Sequence, residues 1–238
     1  MTPHIIAFIF ARGGSKGLPR KNLLPLAGKP LVVHAIDTAL ALPRIAKVVV
    51  STDDEEIAEV ARCAGAYIPF MRPKELATDN APEWLAWQHA IRSLRDAGEQ
   101  LDVFLSLPTT SPLRLPADVD CCLNTLAQGD SDIVITVREA ERSPYFNMVR
   151  RDPDGSLRLA VEGQFHRRQD APQLFDMTTV AYAAKADYIL SANSIFDGKV
   201  RAVQIPRERA LDIDTELDLL MGRFLIDKVN PAVKAVIL

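Results

Sequence analysis

The sequence has no disulfide framework. Its three cysteines, Cys63, Cys121 and Cys122, are odd in number, two of them are adjacent, and none belongs to a Cys-x-x-Cys pair. This excludes a stapled secreted domain and predicts a reducing, cytoplasmic setting. No charge of one sign dominates: 28 Lys and Arg stand against 31 Asp and Glu, a formal net charge of −3, so no global positive field draws the chain to nucleic acid or an anionic membrane. No apolar run approaches the ~18 residues of a membrane span, and the stretch from Met1 to Phe10 has neither the basic region nor the apolar length of a signal peptide. The four histidines, His4, His34, His89 and His166, are scattered without metal-ligand spacing and read as surface or packing residues. Repeats and low-complexity segments are missing as well. What remains is a soluble chain of ordinary composition, 48% hydrophobic and 25% charged, long enough for one sizeable core, in which any anion site must be local.

Short apolar runs alternate with segments of helical period: "IIAFIF" before "PLVVHAIDTALAL", "KVVVS" before "DDEEIAEVARCAG", "LDVFLSL" before "LPADVDCCLNTLAQG", then "SDIVITV". Runs apolar on both faces, alternating with helices, predict an α/β fold with a mainly parallel sheet. From Arg138 to Met177 the rhythm breaks: "ERSPYFNMVRRDPDGSLRLAVEG" reads as two strands around the turn "DPDG", an inserted lobe. The pattern resumes with "TTVAYAA" and "VRAVQI", and "DIDTELDLLMGRFLIDKV" closes as an acidic start running into an amphipathic helix. In such sheets ligands collect beyond the carboxyl ends of the strands, so the loops after them carry the argument.

The first of these loops is "FARGGSKGLPRKN", Phe10 to Asn22. Glycines let backbone N–H groups turn inward around an anion, and Arg12, Lys16, Arg20 and Lys21 supply charge. Gly13, Gly14 and Gly17 spell neither GxGxxG nor GxxxxGK[ST], so the loop is either a phosphate cradle of another kind or a solvated basic turn. At the far end, Asp212 and Asp214 in "DID" point to one face if the segment is extended. Two such carboxylates repel unless a cation lies between them, and an oxygen-only set with few protein ligands suits Mg²⁺ shared with substrate phosphates. The other reading is capping: Asp214 or Thr215 could start the final helix, which leaves Asp212 without a role. Asp53 in "TDDEE" could cap the second helix or sit near a nucleotide. Trp84 and Trp87, three apart, read as core, and Cys121 and Cys122 as small apolar filler. A phosphate loop and a carboxylate pair together suggest phosphoryl or nucleotidyl transfer from a nucleoside triphosphate.

Several stretches, "ARGGSKGLPRKN", "VVVSTDDEEIAEVA", "RPKELATDNA", "SPLR", "RRQDAP" and "DIDTELDL", occur in the order found in one family. Through them the sequence resembles the acylneuraminate cytidylyltransferases, also called CMP-sialic acid synthetases, over nearly the whole chain. The resemblance implies a three-layer Rossmann-like nucleotidyltransferase fold, one domain over residues 1–238, with a dimerisation and sugar-binding lobe at about 138–177. It implies transfer of CMP from CTP to a nine-carbon 2-keto sugar acid with release of pyrophosphate, Mg²⁺ as cofactor, and a homodimer. By the same resemblance Arg12, Gly13, Gly14, Ser15, Lys16 and Lys21 hold the triphosphate, with Lys21 near the α-phosphate, and Asn22, Arg72 and Ala81 face the cytidine. Asp212 and Asp214 hold the metal; Arg168, Gln169, Ser111 and Arg114 serve the sugar, Arg168 from the partner subunit of a dimer. Pro108 stands where sialic acid enzymes have a glutamine, and "DMTT" from Asp176 stands where they read "RPNG", so recognition of the sugar must differ; "SPYFNMV" and "FDM" resemble legionaminic-type members. Two further readings stay open: CTP-dependent activation of an eight-carbon keto-deoxy acid, or a non-catalytic nucleotide-binding protein of the same fold.

Overall fold

The computed structural model describes residues 3–163, 165 and 167–229; His166 lies outside them. The strands are β1 (Ile5–Phe10), β2 (Pro25–Leu26), β3 (Lys29–Pro30), β4 (Ile45–Ser51), β5 (Val103–Ser106), β6 (Ile133–Glu139), β7 (Val149–Arg151), β8 (Leu157–Leu159), β9 (Phe175–Lys185) and β10 (Val200–Gln204). The helices are α1 (Leu31–Leu40), α2 (Glu55–Cys63), α3 (Glu83–Asp96), α4 (Pro116–Ala127), α5 (Ala186–Ser191) and α6 (Glu216–Val229). None of the described helices is long and apolar enough to cross a membrane.

Six strands form one sheet in the order β10-β6-β9-β5-β1-β4. Alternation along β1 explains the layering. Ile5, Ala7 and Ile9 face a core built with Val32 and Ile36 of α1, Ile57 of α2 and Val119 and Leu123 of α4. Ile6 and Phe8 face the opposite core, made by Trp84, Trp87 and Ile91 of α3 and Ile189 of α5. Trp84 and Trp87 are thus core, as their spacing indicates. Cys122 is buried, but Cys121 is exposed, because adjacent helical positions face about 100° apart.

The sheet is mainly parallel, with one departure: β9 runs antiparallel between β5 and β6. It also begins earlier than the apolar run, since Phe175, Asp176 and Met177 already pair with Glu139, Arg138 and Val137. The lobe is therefore the excursion between two neighbouring strands, and β7 and β8 form its hairpin with Arg150 opposite Arg158. A second hairpin, β2–β3, turns at Ala27 and Gly28, both with positive φ. It carries Leu26, which packs with Leu31, Ile213, Leu219 and Ile226 and so docks α6 on the body.

Candidate functional site

The carboxyl ends of β1, β4, β5, β6 and β10 lie along one edge of the sheet, and the unusual loops meet there. The loop after β1 forms one wall of a cavity of about 280 Å³. Arg12, Gly14, Ser15, Lys21 and Asn22 line it from this loop, Arg72 and Ala81 from the segment after β4. Gly13 is not in the lining; its N–H is taken by Asp53 Oδ1 at 2.9 Å. Asp54, not Asp53, caps α2 by accepting from Ile57 N–H, so the capping alternative for Asp53 is corrected: its carboxylate braces the glycine loop instead.

The loop cations all face carboxylates. Arg12 and Lys16 both pair with Asp79, at 2.7 and 3.1 Å. Lys21 Nζ meets Asp214 Oδ1 at 2.7 Å. Arg20, in the left-handed region at φ 55, turns the other way to Asp54 and Glu56. Arg72 is 7% exposed and tied to the end of β4: its Nε donates to Ser51 Oγ at 3.1 Å, its Nη2 to the Ser51 carbonyl, and its guanidinium lies over the Phe10 ring. Burial lowers its pKa to about 10, against the pull of Asp53 and Glu83. Asn22 is clamped as well: Nδ2 donates to the Arg12 carbonyl at 2.8 Å and Oδ1 accepts from Thr109 Oγ1 at 2.6 Å. One amide hydrogen is left for a ligand.

A second cavity of about 280 Å³ adjoins the first and shares Phe10, Glu83, Thr109 and Thr110 with it. Pro108, Thr179, Tyr182, Asp212 and Asp214 complete its lining. The "DID" segment does place its two carboxylates on one side, with Ile213 fully buried between them and its N–H bonded to the Thr110 carbonyl at 2.8 Å. Capping belongs to Thr215, whose Oγ1 and N–H pair with the Asp218 carboxylate at the head of α6. Both aspartates are thereby left for other work. Burial pushes the Asp212 carboxyl up, and the neighbouring Asp214 charge adds to this; its Oδ1 is buried without a hydrogen-bond partner. Two oxygen donors, one of them idle, fit a divalent cation. Among the described residues no three His, Cys, Asp or Glu groups cluster as a metal cage.

The two walls touch. A Cβ on Gly17 would lie 2.3 Å from the Asp214 carbonyl oxygen, whereas one on Gly14 would meet nothing within 4 Å. Only a residue without a side chain lets the glycine loop lie this close to the acidic segment.

Other candidates lie elsewhere. Ser111 and Arg114 are buried and line neither cavity; Ser111 Oγ bonds Thr179 Oγ1 at 2.7 Å. Gln169 lines a separate cavity within the lobe, beside Phe146 and Asn147, and the backbone of Arg168 opens a short 3-10 turn there. Lys16 is largely exposed and reaches the site only through Asp79. Asp176 pairs with Arg138 at 3.3 Å and does not enter either cavity.

Sequence reasoning missed Asp79, Glu83, Thr109, Thr110 and Thr179. Glu83 follows Pro82 as the first residue of α3 and reads as an ordinary acidic first turn; in the structure it reaches solvent through the cleft, yet desolvation by its surroundings pushes its carboxyl up while the Arg72 charge works against this. The threonines show their role only when β5, β9 and the "DID" segment converge. A larger cavity of about 660 Å³ lies at the opposite end of the sheet. Its cations pair with carboxylates, Arg95 with Asp187 and Lys185 with Asp132, and it lies away from the loops at the carboxyl ends of the parallel strands.

The Cytidylyltransferase family model matches residues 6–148. The chain is 32% identical over 227 residues to the CMP-N,N'-diacetyllegionaminic acid synthase of Campylobacter jejuni, covering 95% of this chain and 96% of that protein. It is 32% identical over 230 residues to the pseudaminic acid cytidylyltransferase of the same species, covering 94% and 97%. Among solved structures, a CMP:2-keto-3-deoxy-manno-octonic acid synthetase complexed with CTP superposes with a TM-score of 0.69 at 18% identity, over 94% of this chain and 99% of that one; this likeness shows the nucleotidyltransferase fold.

Proposed function

The chain belongs to the cytidylyltransferase family, and from that premise we propose that it transfers CMP from CTP to a hydroxyl of a nine-carbon sugar acid, releasing pyrophosphate. The observation that carries this reading is the joined pair of cavities: a basic glycine wall with Arg12 and Lys21 on one side, a hydroxyl-rich and acidic wall with Asp212 and Asp214 on the other. The first suits a triphosphate and its base, the second an acceptor whose hydroxyl must be brought to the α-phosphorus.

The residues divide the work by chemistry. The Arg12 guanidinium offers a planar fork to phosphate oxygens and Lys21 a compact charge. The triphosphate takes the place of Asp79 and Asp214 against these two cations, so charge is exchanged rather than stripped. Arg72, fixed to Ser51 and stacked on Phe10, presents N–H donors to the base edge, and Thr109 keeps Asn22 oriented. Asp212 and Asp214 would hold Mg²⁺, which would supply neutralising charge to the phosphate oxygens. Lys21 remains beside the α-phosphate, where negative charge grows as the acceptor oxygen bonds and pyrophosphate leaves.

The lobe supplies the remaining part of the proposal. Met148, Val149, Leu157 and Val161 are all exposed on it, and a lone two-stranded hairpin is only marginally stable in water. In our reading a second copy of the chain covers this face, giving a homodimer.

The test is pyrophosphate release from CTP, ATP, GTP and UTP with a panel of nine- and eight-carbon sugar acids. Release with CTP and a nine-carbon acid is expected. Turnover only with another triphosphate, or with none, overturns the reading; turnover restricted to eight-carbon acids corrects the acceptor alone.

A further inference from the structure

Arg114 poses a problem that neither the fold nor the cavities answer. It is 3% exposed and lines neither cavity. Its Nη2 donates to the Pro108 carbonyl, but Nε and Nη1 are buried with no hydrogen-bond partner among the described residues. Burial lowers its pKa to about 9, against the attraction of Asp118 and Asp212. Of these two acids Asp118 is already committed, since Arg209 holds it in a two-pronged pair at 3.0 and 2.9 Å. A buried guanidinium with two idle nitrogens does not serve stability, because an apolar side chain of similar volume avoids the desolvation. Such a group persists when something other than stability requires it.

The hydrogen bond it does make, to the Pro108 carbonyl, shows what that is. Pro108 is the second residue of the loop between β5 and α4, and the next two residues reach opposite walls of the site. Thr109 Oγ1 bonds Asn22 Oδ1 at 2.6 Å on the nucleotide side. The Thr110 carbonyl accepts the Ile213 N–H at 2.8 Å, between the two aspartates. Pro108 has no N–H with which to anchor itself, so its carbonyl is the handle by which this stretch is held.

We propose that Arg114 is a positioning residue: by gripping the Pro108 carbonyl from below, it holds Thr109 and Thr110 so that Asn22 and the Asp212–Asp214 segment stay in register across the cleft. The inference rests on the cytidylyl-transfer reading for its effect on rate, though not for its effect on the loop.

R114M and R114K are compared with the parent by steady-state kinetics, thermal unfolding and amide hydrogen exchange. For R114M the expected result is a melting temperature within a few degrees of the parent, a kcat lower by about tenfold or more, a raised KM for CTP, and faster exchange at Ile213. R114K, which keeps a buried donor, recovers part of the rate and of the Ile213 protection. Parental kcat and parental Ile213 exchange in R114M overturn the proposal, as does a joint fall of kcat and melting temperature in both variants, which marks a purely structural role. If R114M does not fold, R114K decides: a reduced kcat at parental melting temperature supports the proposal, and a parental kcat overturns it. A parent protein that releases no pyrophosphate would sink the proposed function instead, and Ile213 exchange would still judge Arg114.

Discussion

Replacing Gly17 by alanine tests whether the glycine loop and the acidic segment form one site. The added Cβ would lie 2.3 Å from the Asp214 carbonyl oxygen, roughly 1 Å inside ordinary contact distance. The oxygen belongs to backbone that is anchored by the Ile213 to Thr110 bond, so the exposed loop gives way. Overpacking of this kind costs about 1–3 kcal/mol where it cannot relax, and a surface loop relaxes, so the loss of stability should sit at the low end. The loss of function should not. A displacement of about 1 Å carries Lys21 and Arg12 off the phosphates and costs on the order of 100-fold in rate. Pyrophosphate release and thermal unfolding of G17A, each against the parent protein, make the measurement. If G17A kept the parental kcat/KM, the contact between loop and acidic segment would have no part in positioning.

Four further outcomes follow from the same geometry. D79N should bind CTP about two- to fivefold more tightly by calorimetry, since the carboxylate that competes for Arg12 and Lys16 is gone; weaker binding would show that Asp79 assists the nucleotide. T109V leaves the buried Asn22 Oδ1 without its donor, at about 1–3 kcal/mol and hence a melting temperature lower by roughly 2–12 °C, together with a raised KM for CTP; an unchanged melting temperature would contradict the clamp. D212N should lose about 100-fold or more in kcat while the melting temperature at neutral pH holds or rises, because a carboxylate whose pKa is raised in the fold opposes folding when ionised; loss of both together would speak for a structural carboxylate. His34, with Nε2 2.8 Å from the Leu26 carbonyl, has its pKa lowered by burial. The unfolded chain therefore takes up the proton first, and stability present above pH 6.5, the ordinary value, is lost as pH falls below it. H34Q should flatten that slope in melting temperature, and an unaltered slope would remove His34 from the account.

Much of this was legible in one dimension because hydrophobic period is a local property. The runs "IIAFIF" and "KVVVS" could only be strands buried on both faces, and the turn "DPDG" could only be a hairpin corner. The glycine loop and "DID" were visible because residues with special backbone or charge stand out against apolar neighbours. What stayed hidden depends on distance in space. Nothing local to "TTVAYAA" says that β9 runs against its neighbours, because direction is set by where the lobe returns the chain. Asp79 and Glu83 sit in loop and helix-start contexts where acids are common, and their partners are far away in sequence. Only the family resemblance of "SPLR" gave Arg114 to the sugar; the loop between β5 and α4 buries its side chain instead. Asp53 and Asp54 could not be told apart by spacing, since both precede the same helix by a residue or two and only the backbone torsion decides which one caps it.

The lobe departs from the end of β6 and comes back on β9, the strand beside it. Its two feet stand next to each other on a rigid sheet, with the Arg138 to Asp176 pair and the Ala140 to Leu174 hydrogen bond as a clasp at the base. A segment mounted in this way can be lengthened, shortened or rewritten without changing the order of the strands or the spacing of the loops at their carboxyl ends. The two cavities are thereby insulated from drift in the lobe, and the face it would offer to a second copy can change while the geometry at its base stays as it is.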